Sequence, residues 1–104
     1  MKMAMISQPM RGLSDDEIKA TRDRAVECLS AKGYEVVNTL FDFSAELDEG
    51  GIEQKALYYL ARSLESMSRC HAVYFCNGWS ETRGCKIEHE AATAYGLDII
   101  HEED

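Results

Sequence analysis

The stretch Ala72-Val73-Tyr74-Phe75-Cys76-Asn77-Gly78-Trp79-Ser80-Glu81-Thr82-Arg83-Gly84-Cys85-Lys86-Ile87-Glu88-His89-Glu90 decides the fold. Its first five residues are an unbroken apolar run, the pattern of a strand buried on both faces and therefore central in its sheet. The run gives way to a polar, glycine-punctuated turn, and Gly84 to Tyr95 then reads as a helix ended by Gly96. A strand turning straight into a helix is the building unit of an α/β protein, and such turns are where phosphates and sugars are usually held.

The same unit recurs upstream. Met3 to Ser7 is a short apolar run closed by Gln8-Pro9, and after the turn Pro9-Met10-Arg11-Gly12 the segment Ser14-Asp15-Asp16-Glu17 forms a capping box with acids in the first helical turn. Ile18, Ala25, Cys28, Leu29 and Ala31 continue at helical spacing, and Lys32-Gly33 stops the helix before a second strand, Tyr34 to Asn38. Thr39 to Ile52 is acidic, contains Gly50-Gly51, and reads as a loop with a helical turn around Ala45; it is the longest candidate lid. Ala56, Leu57, Leu60, Leu64 and Met67 mark a second amphipathic helix from about Glu53 to Met67. A last short strand runs from Asp98 to His101.

The order β-α-β-α-β-α-β predicts a parallel four-stranded sheet with right-handed crossovers. The simplest strand order is 2-1-3-4, which reverses direction between strands one and three. Ligands bind at such a switch point, outside the carboxyl ends of the strands. The loops that meet there are Ser7 to Gly12 and the turn that follows Cys76.

Composition narrows the partners. The chain has 104 residues, enough for one domain and one modest core. Nineteen acidic against eleven basic residues give a net charge of −8, which disfavours a nucleic-acid polymer and favours a small solute. No stretch approaches the roughly 18 consecutive apolar residues of a membrane span. Met1 to Ile6 is too short for a secretory signal, and the four cysteines form no CxxC pair, so reduced thiols in a cytoplasmic protein are expected. Cys28 and Cys76 read as small core hydrophobes. Cys85 sits at a helix start, which lowers a thiol pKa, but it too reads as structural. His71, His89 and His101 are far apart in sequence and read as structural or surface residues, so no metal and no cofactor are expected.

Two readings of the third helix stay open. Glu88, on its second turn, can point a carboxylate into the switch-point cleft, or Glu88, His89 and Glu90 form a solvated face. Gly84 lets a ligand approach the backbone, and the free amides of the helix start suit an anion or a sugar hydroxyl. Trp79 can stack on a base or sugar, or serve a core or a subunit interface.

Ile6-Ser7-Gln8-Pro9-Met10-Arg11-Gly12 resembles the I-S-G-P-M-x-G opening of a small uncharacterised domain family in the nucleoside 2-deoxyribosyltransferase-like superfamily, known from bacteria and phages. Ala72 to Trp79 resembles that family's strand followed by G-W. Arg83-Gly84-Cys85-Lys86-Ile87-Glu88, with Ala91, Ala92 and Tyr95-Gly96-Leu97, resembles its R-G-x-x-x-E helix and the A-x-x-x-G that follows. The similarity spans nearly the whole chain, so residues 1–104 are expected to form one such domain.

The resemblance implies a three-layer flavodoxin-like (Rossmann-like) fold that binds a nucleoside or nucleotide. In the active relatives the N-glycosidic bond is cleaved or exchanged, and the glutamate matching Glu88 is the nucleophile. Glu81 and Asp42 are the candidate proton donors to the leaving base. Ser7, Gln8, Pro9, Met10, Arg11, Gly12, Gly78, Trp79, Arg83 and Gly84 are the candidate substrate-binding residues, with Arg11 and the first helix start placed to hold a 5′-phosphate. Departures are visible too. Ser63 and Thr82 stand where the transferases carry acids, and Gln8 replaces a glycine and is expected to crowd the pocket. Three readings follow: a nucleoside or nucleotide N-glycosidase or deoxyribosyltransferase, a non-catalytic nucleotide-binding module, and an interaction protein with a vestigial cleft. The open sheet edges and helix faces of so small a domain also suggest a homo-oligomer, a dimer or higher.

Overall fold

A computed structural model describes residues 1–37 and 50–102. The elements run β1 (Lys2–Ser7), α1 (Asp15–Ala31), β2 (Tyr34–Val36), α2 (Lys55–Met67), β3 (Ala72–Phe75), a 3-10 turn (Trp79–Glu81), α3 (Arg83–Ala94) and β4 (Asp98–His101). The four strands form one all-parallel sheet in the order β2-β1-β3-β4. The expected α/β architecture and strand order are those of the molecule. Asp42 and most of the candidate lid lie outside the described residues.

Helix α1 begins as its sequence directs. Ser14 accepts from the Glu17 amide, and the Glu17 carboxylate accepts from the Ser14 amide, completing the capping box. Gly33, with φ +87°, takes the left-handed turn after the helix that a side chain would resist. Helix α2 is less covered than its stripe suggests. Met67 is buried, but Leu57 is 61% exposed.

Strand register sorts the core into two faces, since successive side chains alternate across a sheet. Ala4, Ile6, Ala72, Tyr74 and Cys76 pack with Ala25 and Leu29 of α1. Met5, Val73 and Phe75 pack on the other face with Met67 of α2 and Ala92 of α3. Ser7 follows Met5 by two residues, so its side chain belongs to the α2/α3 face. Ser7 pairs with Phe75, and Phe75 with His101, which puts all three in one row at the carboxyl end of the sheet.

Removing the cap tests the start of this arrangement. Ser14→Ala is expected to lower stability by about 1 kcal/mol, read as a shift of the urea midpoint without change of slope. A midpoint equal to that of the unsubstituted protein would show that the capping box contributes nothing.

Candidate functional site

Helix α3 buries the stripe Cys85, Glu88 and Ala92, spaced three and four apart as one helical face requires. Glu88 is therefore a core-facing residue and not part of a solvated face; it is 8% exposed. Its partner is set by the sheet. Ser7, buried at the end of β1, donates from Oγ to Glu88 Oε1 at 3.1 Å, across 81 residues of sequence. Burial pushes the Glu88 carboxyl up to about 7, and the Ser7 hydroxyl pulls the other way by favouring the charged form.

The two loops that the switch point brings together enclose a cleft of about 610 Å³, whose lining includes neither Ser7 nor Glu88. Pro9, Arg11 and Leu13 form one wall, and Asn77, Gly78, Glu81, Thr82, Arg83 and Gly84 the other. Gly78, at φ +89°, lies against Pro9, so the two loops touch at their base. Gly84 has open space beside it: a Cβ there would meet nothing within 4 Å. Glu88 sits one turn further along α3 from Gly84.

The start of α3 is left open to an anion. Thr82 is its N-cap, but the Thr82 hydroxyl donates to the Gly78 carbonyl and makes no cap bond to the helix. Arg83 and Gly84, the first residues of that turn, line the cleft, and their amides receive no side-chain cap.

Several candidates are placed differently from expectation. Gln8 does not crowd the cleft. It is 9% exposed and folds back to donate from Nε2 to the Ile18 carbonyl at 2.7 Å, on the α1 side. Met10 and Gly12 are exposed turn residues outside the cleft lining. Trp79 is taken up by packing: its ring stacks on His89 at 3.9 Å with planes 7° apart, and it leans on Phe75 at 5.6 Å. The Cys85 thiol is not activated by the helix start. Burial pushes it up to about 11, with Glu88 adding and a Ser7 hydrogen bond opposing.

Sequence spacing also hid a pair of histidines. His89 on α3 and His101 on β4 meet Nε2 to Nε2 at 3.2 Å. Burial and the neighbouring His101 both pull His89 below its ordinary value. Among the described residues no group of three or more His, Cys, Asp or Glu side chains is placed to hold a metal ion.

A family model described as a domain of unknown function (DUF4406) matches residues 2–101, from the first residue of β1 to the last of β4. The chain belongs to the DUF4406 family. No curated protein and no solved structure matches it. Within this DUF4406 domain the matched span includes both walls of the cleft and the Ser7–Glu88 pair. No helix among the described residues is long and apolar enough to cross a membrane.

The raised Glu88 carboxyl links stability to pH. Its value in the fold lies above its ordinary 4.5, so its contribution is complete below about 4.5 and is lost as pH rises through about 7. At about 1.4 kcal/mol per pH unit this amounts to about 3 kcal/mol. Glu88→Gln, which carries no charge, is expected to gain stability relative to the parent protein by about that amount between pH 4.5 and 8, measured by paired denaturant titrations. Parallel curves at all pH values would remove Glu88 as the titrating group.

Proposed function

We propose that this DUF4406 domain binds a nucleoside or nucleotide in the cleft and breaks its N-glycosidic bond with Glu88 as nucleophile. The observation that carries the reading is a buried carboxyl raised to about 7, hydrogen-bonded to Ser7 at the sheet's switch point and one helical turn along α3 from Gly84, a lining residue of the cleft that bears Arg11 and Arg83. Perturbed carboxyls in clefts are where reactive groups concentrate. A cleft of about 610 Å³ suits a nucleoside monophosphate. Arg11, Arg83 and the uncapped amides of α3 supply the donors that a phosphate needs.

In the reaction, the Glu88 carboxylate attacks C1′ as positive charge develops on the sugar. The C1′–O bond forms, the C1′–N bond breaks, and its electron pair leaves with the base, which takes a proton. Glu81, the one acidic side chain among the described cleft-lining residues, gives that proton from its protonated form and is left as the carboxylate. Water or a second base then attacks C1′ from the opposite side and frees Glu88. The Ser7 hydroxyl steadies the carboxylate before attack and as it departs.

A second reading, a binder without turnover, is favoured by one observation: Glu88 is only 8% exposed and one of its oxygens is already engaged by Ser7. A cytoplasmic setting fits four cysteines that are all free thiols. Homo-oligomer formation fits the exposed Leu57, Ile87 and Tyr95 on the α2/α3 side.

The two readings separate on a panel of ribo- and deoxyribonucleoside monophosphates assayed for free base by chromatography. Release is expected, rising as pH passes through about 7 and Glu88 ionises. Glu88→Gln is expected to cut it about a thousandfold or more. Saturable binding of unaltered nucleotide, undiminished in Glu88→Gln, would establish the binder instead.

A further inference from the structure

The row Ser7, Phe75 and His101 crosses three adjacent strands at one level of the sheet. Two consecutive residues of α3 cover it. Glu88 takes the Ser7 end by hydrogen bond, and His89 takes the His101 end. The His89 ring meets Phe75 with centroids 4.7 Å apart and stacks parallel on Trp79, which itself leans on Phe75 at 5.6 Å. Adjacent helical residues point about 100° apart, so both contacts are made at only one rotation of the helix about its axis.

We infer that His89 and His101 are positioning residues: their Nε2 contact, packed against Phe75 and Trp79, fixes the rotation of α3 that keeps Glu88 buried on Ser7. This rests on the reading of Glu88 as the reactive carboxylate only for its catalytic consequence; the mechanical coupling stands on the geometry.

The chemistry of the contact gives it a proton dependence. Two neutral imidazoles joined through Nε2 require opposite tautomers, one donating and one accepting. A first added proton leaves an imidazolium donor and a neutral acceptor, which preserves the bond. A second places two donors and two positive charges at 3.2 Å, and the contact opens. The rings packed on the pair carry no charge to offset that repulsion. Phe75 from β3 and Trp79 from the turn are uncharged. Glu102, after His101, is engaged by the Asn77 amide and by Arg24. On α3 itself Cys85 is a buried thiol, and Lys86 and Glu90 are exposed.

The test reads the position of Glu88 without assaying turnover. Carboxyl 13C shifts are followed with pH in glutamate-labelled protein, the Glu88 signal being assigned by its loss in Glu88→Gln. His101→Gln, which still hydrogen-bonds His89, is expected to keep the midpoint near 7. His101→Leu is expected to lower it by about one pH unit or more, as Glu88 turns toward water. An unchanged midpoint in folded His101→Leu overturns the inference. Where His101→Leu does not fold, the emission of Trp79, the single tryptophan, serves instead. On acidification it is expected to change in the parent as the doubly charged pair parts, and to lose that step in His101→Gln; identical curves overturn the inference. A protein that shows the displaced midpoint yet releases no base keeps the positioning role and loses the proposed reaction.

Discussion

One hydrogen bond, from Ser7 to Glu88, ties together the two halves of the chain at the point where the sheet reverses its winding. A carboxyl buried to this degree is costly when charged, and a single hydroxyl offsets only part of that cost. The result is a group held near neutrality instead of near its ordinary value. The surrounding structure follows from keeping it there. β1 and β3 must be neighbours for Ser7 to reach the α2/α3 face, and α3 must start directly after β3 for Glu88 to fall on its buried stripe. The turn between them must be open enough to leave a cleft.

The fold was legible because its signals were local and mutually consistent. Ser14 to Glu17 announces the start of α1, Gly33 and Gly96 mark where helices must stop, and Ala72 to Cys76 can only be a strand buried on both sides. Alternation of such elements then leaves few topologies. The pairing of Ser7 with Glu88 was also within reach. Period-two alternation from Met5 places Ser7 on one face, and period-3.6 spacing through Cys85 and Ala92 places Glu88 on the facing stripe. What sequence could not decide was whether that stripe met the sheet or the solvent, because a glutamate in a stripe with Cys85 and Ala92 breaks the apolar pattern used to recognise the buried face.

Other parts of the site were hidden for a different reason. His89 and His101 are twelve residues apart, and only the register of β4 on β3 brings His101 beside Phe75 and under α3. Nothing in local composition encodes that register. Gln8 was misjudged through its chemistry. A long side chain replacing a glycine in a pocket loop suggests obstruction, yet its amide reaches the Ile18 carbonyl on α1 and leaves the cleft to Pro9 and Arg11. For Trp79, of the two roles left open by the sequence, the contacts favour packing. An aromatic ring in a polar loop invites a ligand, but a ring already stacked at 3.9 Å on His89 is a wall of the structure.

Ile87, Glu88 and His89 are three consecutive residues with three different surroundings: an exposed face toward α2, the end of β1, and the end of β4. Apolar contacts are not directional, so they specify the rotation of a helix less sharply than hydrogen bonds do. Hydrogen bonds at both ends of one row of the sheet fix that rotation, because a roll that relieves one lengthens the other. The two anchors differ in what proton uptake does to them. Glu88 stays hydrogen-bonded when protonated, whereas the histidine pair parts at its second proton. Acid therefore loosens helix α3 from its β4 side, whereas a rise in pH through about 7 charges Glu88 at the β1 side.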